Sequence, residues 1–291
     1  MLTEVQKNRY RDQGFLVLPG FRSADAAAAL MARSRAIVAA FEPNGQGSVF
    51  TTRDQARNAN ADFLASGDRI TCFFEEEAYA ANGELRQPKS ESINKIGHAL
   101  HDLDPVFDRF SRGADMAALA ADLGLAEPQA WQSMVIFKPP RIGGEVGWHQ
   151  DASFLITEPV SVVTFWFALE DATLHNGCLW VEPGGHRGPL RQRFVREGDS
   201  VRMETLDTMP WPGGAVAVPL EVAAGTLVCF HGKLPHYSGP NRSERSRQAY
   251  TLHVTDAACR WSELNWLRRG PQLPLRGLTA AVPRPGGRAG A

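Results

Sequence analysis

The sequence predicts a mainly β protein, a sandwich or barrel of short strands with supporting helices drawn mostly from its N-terminal part. Three observations carry this. After Pro128, runs rich in branched and aromatic residues recur at roughly ten-residue spacing, separated by Gly/Pro turns, which is the pattern of a closed or two-layered β fold. Before that point, alanine- and leucine-rich stretches with helix caps dominate to about residue 125. Hydrophobic residues make up 43% of the 291, enough for one large core, and no Ser-, Gly- or Pro-rich linker divides the chain.

Taken in order, residues 3–13 read as a short helix capped by Thr3, and residues 14–21 as a strand stopped by Pro19-Gly20. Residues 23–41 are a strong helix: Ser23 stands at the N-cap and the body is rich in Ala, Leu and Met. Residues 42–48 read as a loop, and 69–79 as a strand with a polar end. In 90–110 the apolar positions Ile93, Ile96, Ala99, Leu100 and Leu103 have helical spacing, interrupted near Pro105, so a helix is expected there. Residues 116–124 are a further helix ending in Gly124. Strands are then expected over 130–140, 161–171, 177–186, 214–222, 225–232 and 247–257. The expected organisation is a single domain over 1–282: helix-rich 1–127, β core 128–260 and a C-terminal extension 261–282. The Pro/Gly-rich residues 283–291 are expected to be a disordered tail.

Composition excludes several classes. Lys+Arg is 31 against 32 for Asp+Glu, a net charge of −1, so no basic face points to nucleic acid. No apolar run approaches the ~20 residues that span a bilayer. The polar N-terminal stretch lacks the apolar segment of a secretory signal. The four cysteines, Cys72, Cys178, Cys229 and Cys259, form no CxxC pair and read as buried thiols in a reducing compartment. A soluble, cytoplasmic protein with a small-molecule substrate is expected.

The chemistry starts in "GWHQDASFL", residues 147–155. Side chains two apart in a strand share a face, so His149 and Asp151 would aim an imidazole and a carboxylate at one point. Two residues rarely hold a catalytic metal, so a third ligand is needed. His98 and His101, three apart on the expected helix, have a solvated or capping role as their plain reading; His175 and His186 lie in turns, and His253 lies deep in the last strand. That leaves His231 and His236, and residue chemistry alone does not choose between them. One carboxylate and two histidines with three open positions is the ligand set of non-haem Fe(II) oxygenases. There a 2-oxo acid fills two open positions and O2 the third, and the far carboxylate of the cosubstrate needs a cation at fixed distance, best met by arginine. Arg247 stands eleven residues after His236, and Ser238 two after it, on its face.

The runs "QSMVIFKPPRIGGEVGWHQDASFL" (132–155) and "HYSGPNRSERSRQAYTLHV" (236–254) resemble the phytanoyl-CoA dioxygenase family of Fe(II)/2-oxoglutarate oxygenases, and most of all its phytanoyl-CoA dioxygenase domain-containing branch. The likeness extends through "EDATLHNGCLWVEPGGH" (170–186) and "WSELNWL" (261–267), and is strongest over 130–267. It implies a double-stranded β-helix, a cupin-like jelly roll. It also implies iron ligation by His149, Asp151 and His236, a cosubstrate carboxylate held by Arg247 with Ser238 beside it, and further cosubstrate contacts at Lys95, Met134 and Trp166. On that likeness His236 is preferred over His231, which is expected to line the pocket or to bond a backbone carbonyl.

The expected activity is thus a dioxygenase that converts 2-oxoglutarate, with Fe(II) and O2, to succinate and CO2 while hydroxylating a small organic molecule; ascorbate should assist in vitro. The rivals are desaturation or another non-hydroxylating oxidation, and a non-catalytic cupin-type metal-binding or sensor protein. Halogenation is disfavoured, because it needs a small residue where Asp151 stands. Plainer readings hold elsewhere: Arg242 and Arg245 as a solvated face, Trp148 as packing, and 143–147 as a flexible loop at the mouth of the site.

Overall fold

The computed structural model describes residues 1–43, 47–50 and 61–279, so the expected tail 283–291 and part of the 42–48 loop lie outside the described residues. The strands in chain order are β1 (Phe15–Leu18), β2 (Ile70–Phe74), β3 (Ile93–His98), β4 (Pro128–Lys138), β5 (Val146–His149), β6 (Thr157–Glu158), β7 (Val163–Ala168), β8 (Leu179–Val181), β9 (Gln192–Glu197), β10 (Ser200–Thr205), β11 (Val218–Leu220), β12 (Leu227–His231), β13 (His236–Ser238), β14 (Arg247–Asp256), β15 (Arg260–Trp261) and β16 (Arg276–Gly277).

Among the described residues the major sheet runs β1-β12-β7-β14-β4-β3-β2, with β16 on β4, and a smaller sheet runs β11-β8-β13-β5. The named pairings within both sheets are antiparallel. Two such sheets, with consecutive strands passing from one to the other, make the jelly roll. Alternation along the major sheet divides its side chains between two cores. Phe165, Phe167, Cys229, Tyr250 and Leu252 face Leu30, Phe107 and Leu119 on the helices. Trp166, Ala168, Val228, Phe230 and Ala249 face Leu179 and Val181 across the roll. A strand buried on both faces reads as an unbroken apolar run, which is why "TFWFAL" shows no alternation.

The helices Glu4–Gln13 and Ala24–Ala40 form where their caps predict. Thr3 accepts from the Gln6 backbone N–H in a reciprocal capping box, and Ser23 accepts from that of Ala26. The region 90–110 departs from expectation. Ile93–His98 is a strand between β2 and β4, followed by one-turn Leu100–Leu103 and the helix Pro105–Ser111. Buried Asn94 and Lys95 break the alternation a strand would show, and Ile93 and Ile96 happen to fall three apart, so strand pairing overrides an accidental helical period. The hairpin β9–β10, turned at Gly198 with φ +62°, was not anticipated; the "REGDS" turn is its only sequence signal.

Strand β4 carries a β-bulge. His253 opposes Gln132 but Val254 opposes Ala130, which leaves Trp131 without a partner in the ladder. Trp131 stacks on Trp261 with ring centroids 3.4 Å apart. Cys72, Cys178 and Cys229 are buried free thiols, and Cys259 is half-buried. No described helix is long and apolar enough to cross a membrane.

Candidate active site

The site lies between the two sheets. His149 closes β5 and His236 opens β13, directly opposite it in the antiparallel register, which sets the imidazoles side by side with ring centroids 4.1 Å apart. Asp151 opens a single 3-10 turn after β5, so the strand ends before it. Gln150 anchors that turn: its buried amide donates to Pro189 O and Lys233 O and accepts from Arg191 N, at 2.9–3.0 Å. His149, Asp151 and His236 each offer a ligand atom within 4.8 Å of the others. Both imidazole Nε2 atoms lie 3.6 Å from Asp151 Oδ1.

The surroundings prepare these groups as ligands. His149 Nδ1 donates to Gly147 O at 2.8 Å and His236 Nδ1 to Leu234 O at 3.0 Å, which fixes both tautomers with the Nε2 lone pair turned to Asp151. Burial, with His236 alongside, pushes His149 down to about 3, so its imidazole is neutral. Burial opposes ionisation of Asp151, but its neighbours His236 and His253 outweigh it and hold its carboxyl well below the usual carboxylate range. Its second oxygen, Oδ2, accepts from Thr164 Oγ1 and sits 3.4 Å from His253 Nε2. The donor set thus fits a divalent metal with one carboxylate oxygen turned to it.

Two lobes meet at this point. The inner lobe is lined by Trp166, Phe230, Ser238, Thr251 and Arg247, and Met134 lines both. Arg247, 1% exposed, has no hydrogen-bond partner for Nε or Nη1 among the described residues. Its Cζ lies 5.6 Å from the Trp166 ring centroid. Burial pushes it down to about 10, leaving it cationic at neutral pH. A buried guanidinium with unmade hydrogen bonds is costly unless an anion completes it.

The family-model comparison matches residues 10–249 to "Phytanoyl-CoA dioxygenase (PhyH)". The chain belongs to that family. It is 46% identical over 278 residues to phytanoyl-CoA dioxygenase 1 of Oryza sativa subsp. japonica, covering 94% of this chain and 97% of that one. It is 45% identical over 283 residues to phytanoyl-CoA dioxygenase domain-containing protein 1 of Bos taurus, again covering 94% and 97%. Among solved structures it resembles the alpha ketoglutarate dependent epimerase SnoN from nogalamycin biosynthesis, with TM-score 0.64, 19% identity and coverage of 98% and 96%. It also resembles EctD from S. alaskensis, with TM-score 0.63, 21% identity and coverage of 96% and 87%. At those identities the structural likenesses speak for the jelly-roll fold.

Of the residues the phytanoyl-CoA dioxygenase resemblance pointed to, the structure brings His149, Asp151, His236, Ser238, Arg247, Met134 and Trp166 around the inner lobe. Lys95 stands apart. It lies on a strand rather than a helix and lines the outer lobe, with Nζ 3.0 Å from the Phe50 ring centroid. Burial pushes it down to about 7, against the pull of Glu75. His98 and His101 are buried, not solvated, because the segment expected to be an exposed helix is a central strand and a packed turn. His231 accepts from the Lys233 backbone N–H at 3.0 Å instead of bonding a carbonyl, and lines neither lobe. Trp148 stacks on Tyr237 at 5.4 Å, half-buried on the outward face. Sequence reasoning missed His253; a lone histidine in a strand carries no spacing signal, and only its place six residues after Arg247, on the same face, could have found it.

Proposed function

We propose that this protein is an Fe(II)/2-oxoglutarate-dependent dioxygenase that hydroxylates a small organic substrate: RH, 2-oxoglutarate and O2 yield ROH, succinate and CO2. The observation that carries this is the convergence of His149, Asp151 and His236 beside a buried, unpartnered Arg247. Family membership supports it, as do the structural neighbours SnoN, in complex with Fe3+, alpha ketoglutarate and nogalamycin RO, and EctD, with 2-oxoglutarate and 5-hydroxyectoine.

In this reading His149 Nε2, Asp151 Oδ1 and His236 Nε2 would hold Fe(II), which would supply the activation of O2 and of the 2-oxo acid. Arg247 receives the far carboxylate of 2-oxoglutarate at the closed end of the inner lobe, with the Ser238 hydroxyl as a second donor. Trp166 and Phe230 exclude water around that salt link and so strengthen it. Thr164 and His253 keep Asp151 turned so that Oδ1 faces the metal. Carboxylate, ring nitrogens and cation thus reach one small volume from β5, β13 and β14.

The test is succinate release from 2-oxoglutarate with Fe(II) and ascorbate and no prime substrate. Slow but measurable turnover that needs both iron and Arg247 is expected. A protein that binds iron yet releases no succinate would be a metal-binding module and the proposal would fail.

A further inference from the structure

The outer lobe is a second, differently built chamber. Its walls are Phe63, Phe73, Phe154, Phe194 and Trp266, and it opens onto His149 and Asp151. Among these rings stands a buried imidazole, His98, whose tautomer follows from its neighbour. Ser66 Oγ has a single proton and donates it to Phe63 O at 2.6 Å. Its 2.8 Å contact with His98 Nδ1 is therefore one in which the imidazole donates. His98 Nε2 is left as an acceptor, buried and with no partner among the described residues. Burial pushes His98 well below its ordinary value, so no second proton fills that lone pair.

An unsatisfied acceptor in an aromatic chamber is costly when the chamber is dry, and a ligand that donates to it recovers that cost. Lys95 is the cation in reach, but Glu75 and the Phe50 ring already face it. The lobe is therefore not a built carboxylate site.

We propose that the outer lobe binds the prime substrate, an apolar ring-bearing molecule that carries a hydroxyl or N–H donor, with His98 Nε2 as its anchor. This rests on the dioxygenase reading for the reactive end of the lobe lying at Asp151. His98 is a specificity-determining residue on this account: it holds the donor, and the aromatic walls hold the ring so that a neighbouring C–H bond reaches the triad. A site built around a buried acceptor rejects the analogue that lacks the donor far more strongly than an apolar wall rejects a small change in size.

The test is calorimetric binding of 2-naphthol, 2-methoxynaphthalene and 2-naphthoate to the metal-free protein. 2-Naphthol is expected to bind about tenfold tighter than its methyl ether. His98→Phe, which suits the aromatic walls, should erase that gap and leave binding of the ether within about twofold. Equal affinities, no binding of 2-naphthol, tightest binding by 2-naphthoate, or a gap that survives in His98→Phe would each overturn the proposal. If His98→Phe loses the ether as well and so has lost the chamber, His98→Gln decides. Its amide oxygen is an acceptor, so a retained preference supports the anchor and a lost one sinks it. Because no metal or cosubstrate is present, an intact naphthol preference beside a silent succinate assay would count against the dioxygenase reading alone.

Discussion

At the residue scale, the two histidines of "FHGKLPH" separate cleanly (230–236). His236 turns Nε2 toward Asp151, whereas His231 is half-buried at the end of its strand with its ring 5.4 Å from that of His186. His236→Ala should therefore lose both iron retention and succinate production, and His231→Ala should keep both. Metal content after dialysis together with a succinate assay decides, and an iron-free His231→Ala would refute the assignment. Asp151→Ala should likewise retain little iron, since two neutral imidazoles alone leave the metal charge unbalanced. Arg247→Gln removes a charge-assisted fork that contributes about 1.5–3 kcal/mol, so KM for 2-oxoglutarate should rise roughly tenfold or more with iron content unchanged. An unaltered KM would place the carboxylate elsewhere, with Lys95 the next residue to test. The triad was legible because its signals are local: two ligands sit two residues apart, and the third has its hydroxyl and arginine neighbours in one hairpin-sized segment. His253 was not legible, because its role depends on strand pairing that brings it to Asp151 across about a hundred residues.

At the scale of elements, the caps and turns of the N-terminal helices and the core strands could be read directly, since each is written in neighbouring residues. The strand at 93–98 could not. It is a central strand buried on both faces, its polar Asn94 and Lys95 line the outer lobe, and what makes it a strand is β2 on one side and β4 on the other. The turn before β8 yields a prediction of its own. Gly177 has φ +86°, and a Cβ there would lie 2.6 Å from Gly239 O and 2.6 Å from Lys138 Cδ. Gly177→Ala combines left-handed strain with a backbone clash and should cost about 1–3 kcal/mol, with a lower Tm. Because Gly239 follows Ser238 directly, the shift should also weaken 2-oxoglutarate binding; an unchanged Tm would show that the turn can relax.

At the scale of the molecule, the helix-rich segment and the C-terminal extension are tied to the jelly roll through one buried carboxylate. Asp102 receives Arg112 Nη2 at 2.6 Å and Arg269 Nη1, and Arg276 Nη1 lies 3.5 Å away. Arg269 also donates to Trp131 O, at the bulge of β4, and Arg112 to Gly277 O in β16. Three chain regions therefore meet at Asp102, whose side chain is fully shielded from solvent. Burial opposes its ionisation, but the His101 contact and the guanidinium groups outweigh it and hold the carboxyl well below the usual range. A carboxyl with a depressed folded-state pKa stabilises the fold above its unfolded value, about 3.9, and loses that contribution as pH falls through the folded value. Asp102→Asn keeps the shape but leaves three guanidinium groups facing a neutral amide, and removing one partner of a buried ionic cluster costs about 3–5 kcal/mol. The variant should thus be less stable by that amount at pH 7 in urea unfolding. The gap to the parent should close progressively below about pH 4, because the unfolded chain then takes up a proton on this carboxyl that the folded parent does not bind until pH falls through the much lower folded value. A gap that stays constant from pH 7 down to acid unfolding would mean that Asp102 contributes by packing, and that its charge does not join the segments.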